Sequence, residues 1–126
     1  MTTSQVIIYA ILVLLIMLYV KRWIAQRGLT QYTPAEVSGK MRSSVLLDVR
    51  TAGERQHQSI KGSIHIPLHE LGTRMKELEK YRNTEIICYC QSGSRSISAA
   101  ARLSKAGFTV ANMKGGIAEW NSSGLR

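Results

Sequence analysis

The chain has 126 residues, enough for one compact domain with something left over. Its 44% hydrophobic and 20% charged residues are the ordinary balance of a globular protein. Seventeen basic residues against eight acidic ones give a net charge of +9, which admits nucleic acid, an anionic membrane surface or small anions as partners. The basic residues are scattered from Lys21 to Arg126 with no dense run, and the few aromatics are not interleaved with them, so no nucleic-acid partner is expected.

Met1 to Val20 carries no charged side chain, and "VIIYAILVLLIMLYV" from Val6 to Val20 is apolar or aromatic throughout. At 1.5 Å per residue this core covers about 22 Å of a hydrocarbon layer about 30 Å thick. Thr2–Gln5 and Trp23–Ile24 extend it to spanning length. Lys21 and Arg22 can snorkel outward, and Tyr9, Tyr19 and Trp23 suit the membrane interface. A secretory signal would place basic residues before the apolar run and a small-residue cleavage site after it. Here Lys21, Arg22 and Arg27 come afterwards and no such site follows. Residues 1–24 therefore read as a transmembrane anchor, 25–28 as a short basic linker and 29–126 as the folded domain. The positive-inside bias predicts a single-pass protein of the cell membrane, with its N-terminus outside and its domain in the cytosol. A reducing cytosol would keep thiols free, and the linker would hold the domain near anionic headgroups.

Within the domain, "LTQYT" (29–33) predicts a short extended segment. Thr33 is placed to cap a helix that starts at Pro34. "SVLLDV" (44–49) predicts a buried strand and "SIHIP" (63–67) another extended piece. Leu68, Leu71, Met75, Leu78 and Tyr81 recur at spacings of three and four, the apolar face of an amphipathic helix. "EIICYC" (85–90) is the strongest strand. A helix follows from Ser96 to Ala106, stopped by Gly107. "FTVANM" (108–113) predicts the last strand, and "GGIAEW" (115–120) a turn into a short helix. Strands alternating with helices, the strands buried, imply an α/β domain built on a parallel sheet with helices on both faces. Ligands of such sheets bind beyond the carboxyl ends of the strands, where Cys90 lies.

Cys88 and Cys90 are the cysteines of the chain. A disulfide between residues two apart is strained, and C-x-C is not the C-x-x-C redox motif. His57, His65 and His69 are not spaced as zinc ligands, so no metal is expected. Cys88, inside the apolar run, reads as strand filler. Cys90 opens a different device: Cys90, Gln91, Ser92, Gly93, Ser94, Arg95. Between a strand and a helix, the N–H groups of such a loop can converge on one point, and the helix dipole adds to the field. Gly93 can take positive φ. Arg95 would grip an oxyanion with two donors. That environment favours a thiolate at Cys90, a soft nucleophile set in a cradle for an anion. Such a site suits attack on sulfur, phosphorus or arsenic oxyanions.

The segment "CQSGSRS" (90–96) resembles the active-site loop of the rhodanese family, C-x-x-G-x-R-S. "LLDVRTAGE" (46–54) is similar to the family's L-x-D-V-R-x-x-x-E, and "IKGSIHIP" (60–67) to I-x-G-A-x-x-I-P. "AARLSKAGFTVANMKGGIAEW" (100–120) resembles the closing helix, strand and G-G-x-x-x-W. Together they span residues 29–122 in the family's order. The resemblance implies a doubly wound α/β fold around a parallel sheet, preceded here by one transmembrane helix. It implies a sulfurtransferase in which Cys90 takes sulfane sulfur from a small anionic donor such as thiosulfate, or from another persulfide. Cys90 would then pass the sulfur to a thiol or cyanide. The persulfide on Cys90 is the covalent intermediate, and no cofactor is implied. Backbone N–H groups of residues 91–95, with Gln91, Ser92, Gly93 and Ser94 lining the site, would hold the terminal sulfur. Arg95 would bind the substrate anion or brace the loop, and Asp48 and Arg50 would form an ion pair behind it.

Two alternatives share the loop. Regulatory relatives bind partners, though those often lack the cysteine. Phosphatase relatives carry five residues between cysteine and arginine where this chain has four, and arsenate reduction is also known on the fold. Many family members read Gly-His-Ile-x-Gly-Ala at the second motif. This chain has Gln58-Ser59-Ile60-Lys61-Gly62-Ser63, without that histidine.

Overall fold

The computed structural model describes residues 1–26 and 28–125. An N-terminal helix, α1 (Thr3–Gln26), precedes a domain of five parallel strands. The strands are β1 (Thr30–Tyr32), β2 (Ser44–Asp48), β3 (Ile64–His65), β4 (Glu85–Tyr89) and β5 (Val110–Met113). They lie in the order β1-β5-β4-β2-β3, so β4 is central. The helices of the domain are α2 (Pro34–Lys40), α3 (Ala52–His57), α4 (Leu71–Arg74), α5 (Ser94–Lys105) and α6 (Gly116–Ser122).

Alternation along the central strands divides the core in two. Leu47, Ile86 and Cys88 face one side with Leu71, Ala99 and Leu103. Leu46, Ile87 and Tyr89 face the other with Val37, Ile117 and Trp120. Successive side chains of a strand point to opposite faces, so a sheet buried on both faces needs helices on both. The helices α4 and α5 cover the first face, α2 and α6 the second. This is the doubly wound parallel sheet expected from the pattern.

The large apolar side chains of α1 from Val6 to Ile24 remain 42% to 72% exposed, so α1 is no part of the domain core. The apolar stretch Thr3–Ile24 has a mean hydropathy of 2.3 and is long enough to cross a membrane. Length and composition fit an anchor, and a signal sequence shares both. The helix continues to Gln26, past the boundary expected at residue 24. The basic linker expected at 25–28 includes Arg27, which lies outside the described residues.

Local signals account for most elements. Thr33 caps α2 with a reciprocal capping box to Glu36, and Pro34 opens the helix. Thr51 and Glu54 form a second box at the start of α3, a helix not expected from apolar periodicity because none of its residues is buried. The predicted amphipathic helix over 68–81 is broken. Leu68–Glu70 and Met75–Tyr81 are 3-10 turns on either side of α4. Four intervals among its five apolar residues span only thirteen residues, a period between the 3.0 of a 3-10 helix and the 3.6 of an α-helix.

Candidate active site

Asp48 on β2 and Tyr89 on β4 are register partners at the carboxyl edge of the sheet. The residues that follow them, Val49–Thr51 and Cys90–Gly93, build the site there. Gly93 caps α5 at φ +104, so the helix starts at Ser94, two residues earlier than expected. The sharp left-handed bend brings the Gly93 N–H back to the Cys90 Sγ, 3.0 Å away. The Ser96 hydroxyl donates to the same sulfur at 3.4 Å.

The outer side of the loop is tied to α6. The N–H groups of Ile117 and Ala118 donate to the carbonyls of Cys90 (2.9 Å) and Gln91 (3.2 Å). With those carbonyls satisfied outward, the loop amides turn inward to the sulfur. Gly116, at φ +62, permits this approach: a Cβ there would lie 2.5 Å from the Gln91 carbonyl oxygen and closer still to that of Cys90. Gly115–Gly116, expected as a simple turn, is thus the seat of the loop.

Cys90 is fully buried. Burial pushes its thiol up, but the Ser96 hydroxyl and the N–H groups of Ser96, Gly93 and Ser92 outweigh it. The net effect holds the thiol below its ordinary value of 9.0. Cys88, buried without such donors and next to Cys90, is pushed up to about 12. Both cysteines are free. One environment favours a thiolate and the other a neutral thiol, which separates their roles.

Arg95, expected to grip an anion with two donors, turns two donors onto a carboxylate of the chain itself. Its two terminal nitrogens each reach one Glu54 carboxylate oxygen, both at 2.7 Å. This fork holds the Glu54 carboxyl down at about 2, with Thr51 assisting. The pair ties the start of α5 to α3.

Asp48 and Arg50 form a buried ion pair behind the loop. Asp48 Oδ1 accepts the Arg50 backbone N–H (2.9 Å) and Nε–H (3.1 Å), and Oδ2 accepts Nη2–H at 2.9 Å. Tyr89 Oη–H and Arg55 Nη1–H also donate to Oδ2, at 3.0 and 3.2 Å. Burial opposes the Asp48 charge, and the hydrogen bonds from Arg50 and Tyr89 more than offset that. Arg50 Nη1 contacts the Gln91 side-chain oxygen at 3.4 Å, which connects the pair to the loop.

Ser92 and Ser94 are exposed, as is Gln91. Ser59, standing where many relatives have histidine, is exposed as well. Half-buried Arg55 donates to Ser63 Oγ (3.1 Å) and the Ser63 carbonyl (2.8 Å). Of the histidines, His65 Nε2 meets the Arg50 carbonyl at 2.7 Å. His57 lines a cleft with Glu54 and Gln91, and His69 is on the surface. No group of potential metal ligands occurs among the described residues.

The structure adds Ser96, Glu54, Arg55 and Tyr89 to the residues expected at the site. The Thr51-x-x-Glu54 capping box was the available sign of α3 and so of Glu54's placement. Ser96 closes the motif that carried the family resemblance. Nothing in the sequence signalled Arg55 or Tyr89.

A buried cysteine whose sulfur accepts a backbone N–H thus lies at the carboxyl edge of a doubly wound parallel sheet, where ligands of such sheets bind. The rhodanese-like domain model matches residues 33–123. A sulfurtransferase of Allochromatium vinosum is 38% identical over 82 residues, covering 64% of this chain and 75% of that protein. The thiosulfate sulfurtransferase PspE of Escherichia coli is 32% identical over 71 residues, 56% of this chain and 68% of that one. The crystal structure of a rhodanese-related protein from Thermoplasma volcanium superposes with a TM-score of 0.73 at 32% identity, covering 77% and 95% of the two chains. The chain belongs to the rhodanese-like family, and its sulfurtransferase relatives support sulfur transfer as its general activity.

Proposed function

We propose that this chain moves sulfane sulfur from thiosulfate or an organic persulfide to a thiol or cyanide through a persulfide on Cys90. The observation that carries the reading is the Cys90 sulfur itself, which accepts hydrogen bonds from Gly93 N–H and Ser96 Oγ–H inside the loop. The Cys90 thiolate attacks the outer sulfur of the donor. A new S–S bond forms, the donor's own S–S bond breaks, and the remnant leaves with the electron pair, as sulfite or as a thiolate. The loop amides that stabilise the thiolate also stabilise the outer sulfur anion of the persulfide. A thiolate or cyanide acceptor then attacks that outer sulfur, and Cys90 departs as thiolate. The protein ends in its starting redox state. Asp48 and Arg50 position the loop through Gln91, and Arg95 braces it through Glu54.

Incubating the full chain with each donor and recording its intact mass tests this. The expected product is the protein plus one sulfur, released on adding cyanide. Failure to gain sulfur from any donor, or an equal gain in Cys90→Ser, would refute it.

The stretch Thr3–Ile24 supports membrane anchoring, and the basic residues after it support a cytosolic domain. Resistance of the membrane fraction to alkaline extraction, with the domain digested only after permeabilisation, is the expected result. Release of a soluble, shortened chain would show a cleaved signal instead.

A further inference from the structure

We propose that the end of α1 and the outer face of α5 form a binding surface for the phosphate headgroups of anionic phospholipids, which holds the α5 end of the Cys90 loop at the membrane surface. This rests on the anchor reading above, in which Thr3–Ile24 spans the bilayer and the domain is cytosolic. It does not depend on the chemistry of Cys90.

The last turns of α1 lie against α5. Between them is a cleft of about 480 Å³, lined by Leu18, Lys21 and Arg22 of α1 and by Leu68, Arg95 and Ile97 of the domain. Lys21 also lines a second cleft, of about 790 Å³, with Arg102 and Lys105. The core side of α5 is taken by Ser96, Ala99, Ala100 and Leu103. Ser98, Arg102 and Lys105 follow one another at spacings of four and three, so they share the side turned away from the sheet, and all three are exposed.

This surface has cations and no counter-charge of its own. No acidic residue occurs before Glu36 or within α5. Carboxylates pair instead with Arg50, Arg55, Arg74, Arg82 and Arg95. Lys21, Arg22, Arg102 and Lys105 are exposed and form no ion pair among the described residues.

Depth selects the occupant. The 22 residues Thr3–Ile24 measure about 33 Å along the helix, against a hydrocarbon layer of about 30 Å. The cytosolic boundary then falls near Lys21, and Leu18, one turn earlier, sits just beneath the headgroups. Leu68, Arg95 and Ile97 share a cleft with Leu18, so that edge of the domain lies at headgroup level. The bilayer is therefore within reach of Lys21, Arg22, Arg102 and Lys105. An anionic phospholipid brings a phosphate to these cations and an apolar body to Leu18, Leu68 and Ile97. A zwitterionic lipid carries its own cation, which cancels the attraction.

The test places the full chain in nanodiscs of phosphatidylcholine, alone or mixed with phosphatidylglycerol. Lysines are acetylated with acetic anhydride and their rates read by mass spectrometry. Lys105 reports on the proposed face, and Lys40, at the end of α2 across the sheet, is the internal reference. The Lys105-to-Lys40 rate ratio is expected to fall about fivefold when phosphatidylglycerol is present, and to recover at high salt. Each cation near an anionic surface strengthens docking by about fivefold, so Arg102→Gln should lose most of the protection while Arg102→Lys keeps it. An equal ratio in the two kinds of disc, a fall that survives high salt, or undiminished protection in Arg102→Gln would overturn the inference. The salt comparison uses the unaltered chain and so stands whatever the variants' stability. The same fall on adding inorganic phosphate to phosphatidylcholine discs would overturn the lipid assignment, because a free anion would then suffice. A chain that enters neither kind of disc would overturn the anchor reading itself.

Discussion

Replacing Gly116 by alanine tests whether the first turn of α6 sets the shape of the Cys90 loop. Gly116 sits at φ +62, a left-handed conformation that costs an L-residue roughly 1–2 kcal/mol. A Cβ there would also lie 2.5 Å from the Gln91 carbonyl oxygen, well inside contact distance. The obstacle is backbone held at both ends, so relief requires α6 or the loop to move by close to an ångström. Overpacking of that kind costs roughly 1–3 kcal/mol. The two effects together predict a destabilisation of about 2–5 kcal/mol, or a fall in Tm of at least about 10 °C for a domain of this size. The loop should yield first, because the N–H donors of Ile117 and Ala118 are what hold its carbonyls outward. Its amides then lose their aim at Sγ, and the Cys90 thiol titrates at higher pH. Thermal unfolding of the full chain and the pH profile of iodoacetamide alkylation measure the two consequences. Gly39→Ala in α2 is the control: its Cβ would meet nothing within 4 Å, and helix propensity favours it by roughly 0.5–1 kcal/mol. If Gly116→Ala stays within about 0.5 kcal/mol of the parent with an unchanged alkylation profile, α6 does not shape the loop.

Ser96→Ala removes the hydroxyl donor to Sγ while leaving the Gly93 donor in place. Its alkylation profile should move to higher pH and its sulfur loading at neutral pH should slow severalfold; an unmoved profile would show that the backbone amides suffice. Asp48→Asn leaves Arg50, which is 2% exposed, without its counter-charge, and should cost about 3–5 kcal/mol in denaturant unfolding. Glu54 predicts a pH signature. Its carboxyl is depressed in the folded chain from 4.5 to about 2, so its stabilisation is complete above pH 4.5 and lost as pH falls towards 2. Glu54→Gln should flatten the fall in stability across that window, and an identical slope in both proteins would refute the assignment.

The elements were legible where local chemistry is sufficient. Thr33 and Pro34 mark the start of α2, runs such as "EIICYC" mark buried strands, and alternating strands and helices imply a parallel sheet. The site's centre was legible too, because small residues after Cys90 and a glycine at the bend are what an inward-turned loop needs. The helix α3 escaped because it buries nothing, and its capping box was its remaining signal. The helix expected over 68–81 broke because a mean spacing nearer three than 3.6 could not settle which helix would form.

By itself the sequence determined the fold class, the family resemblance, the candidate thiol and the apolar N-terminal stretch. Each is written in neighbouring residues, through periodicity, capping or a short motif. Only the tertiary structure decided what the charges do. Arg95 and Glu54 are 41 residues apart, as are Tyr89 and Asp48. Sequence spacing carries no information about such pairs, because the parallel sheet brings them together by laying β2 and β4 side by side. That juxtaposition gives the arginine at the rim a carboxylate partner from a distant part of the chain.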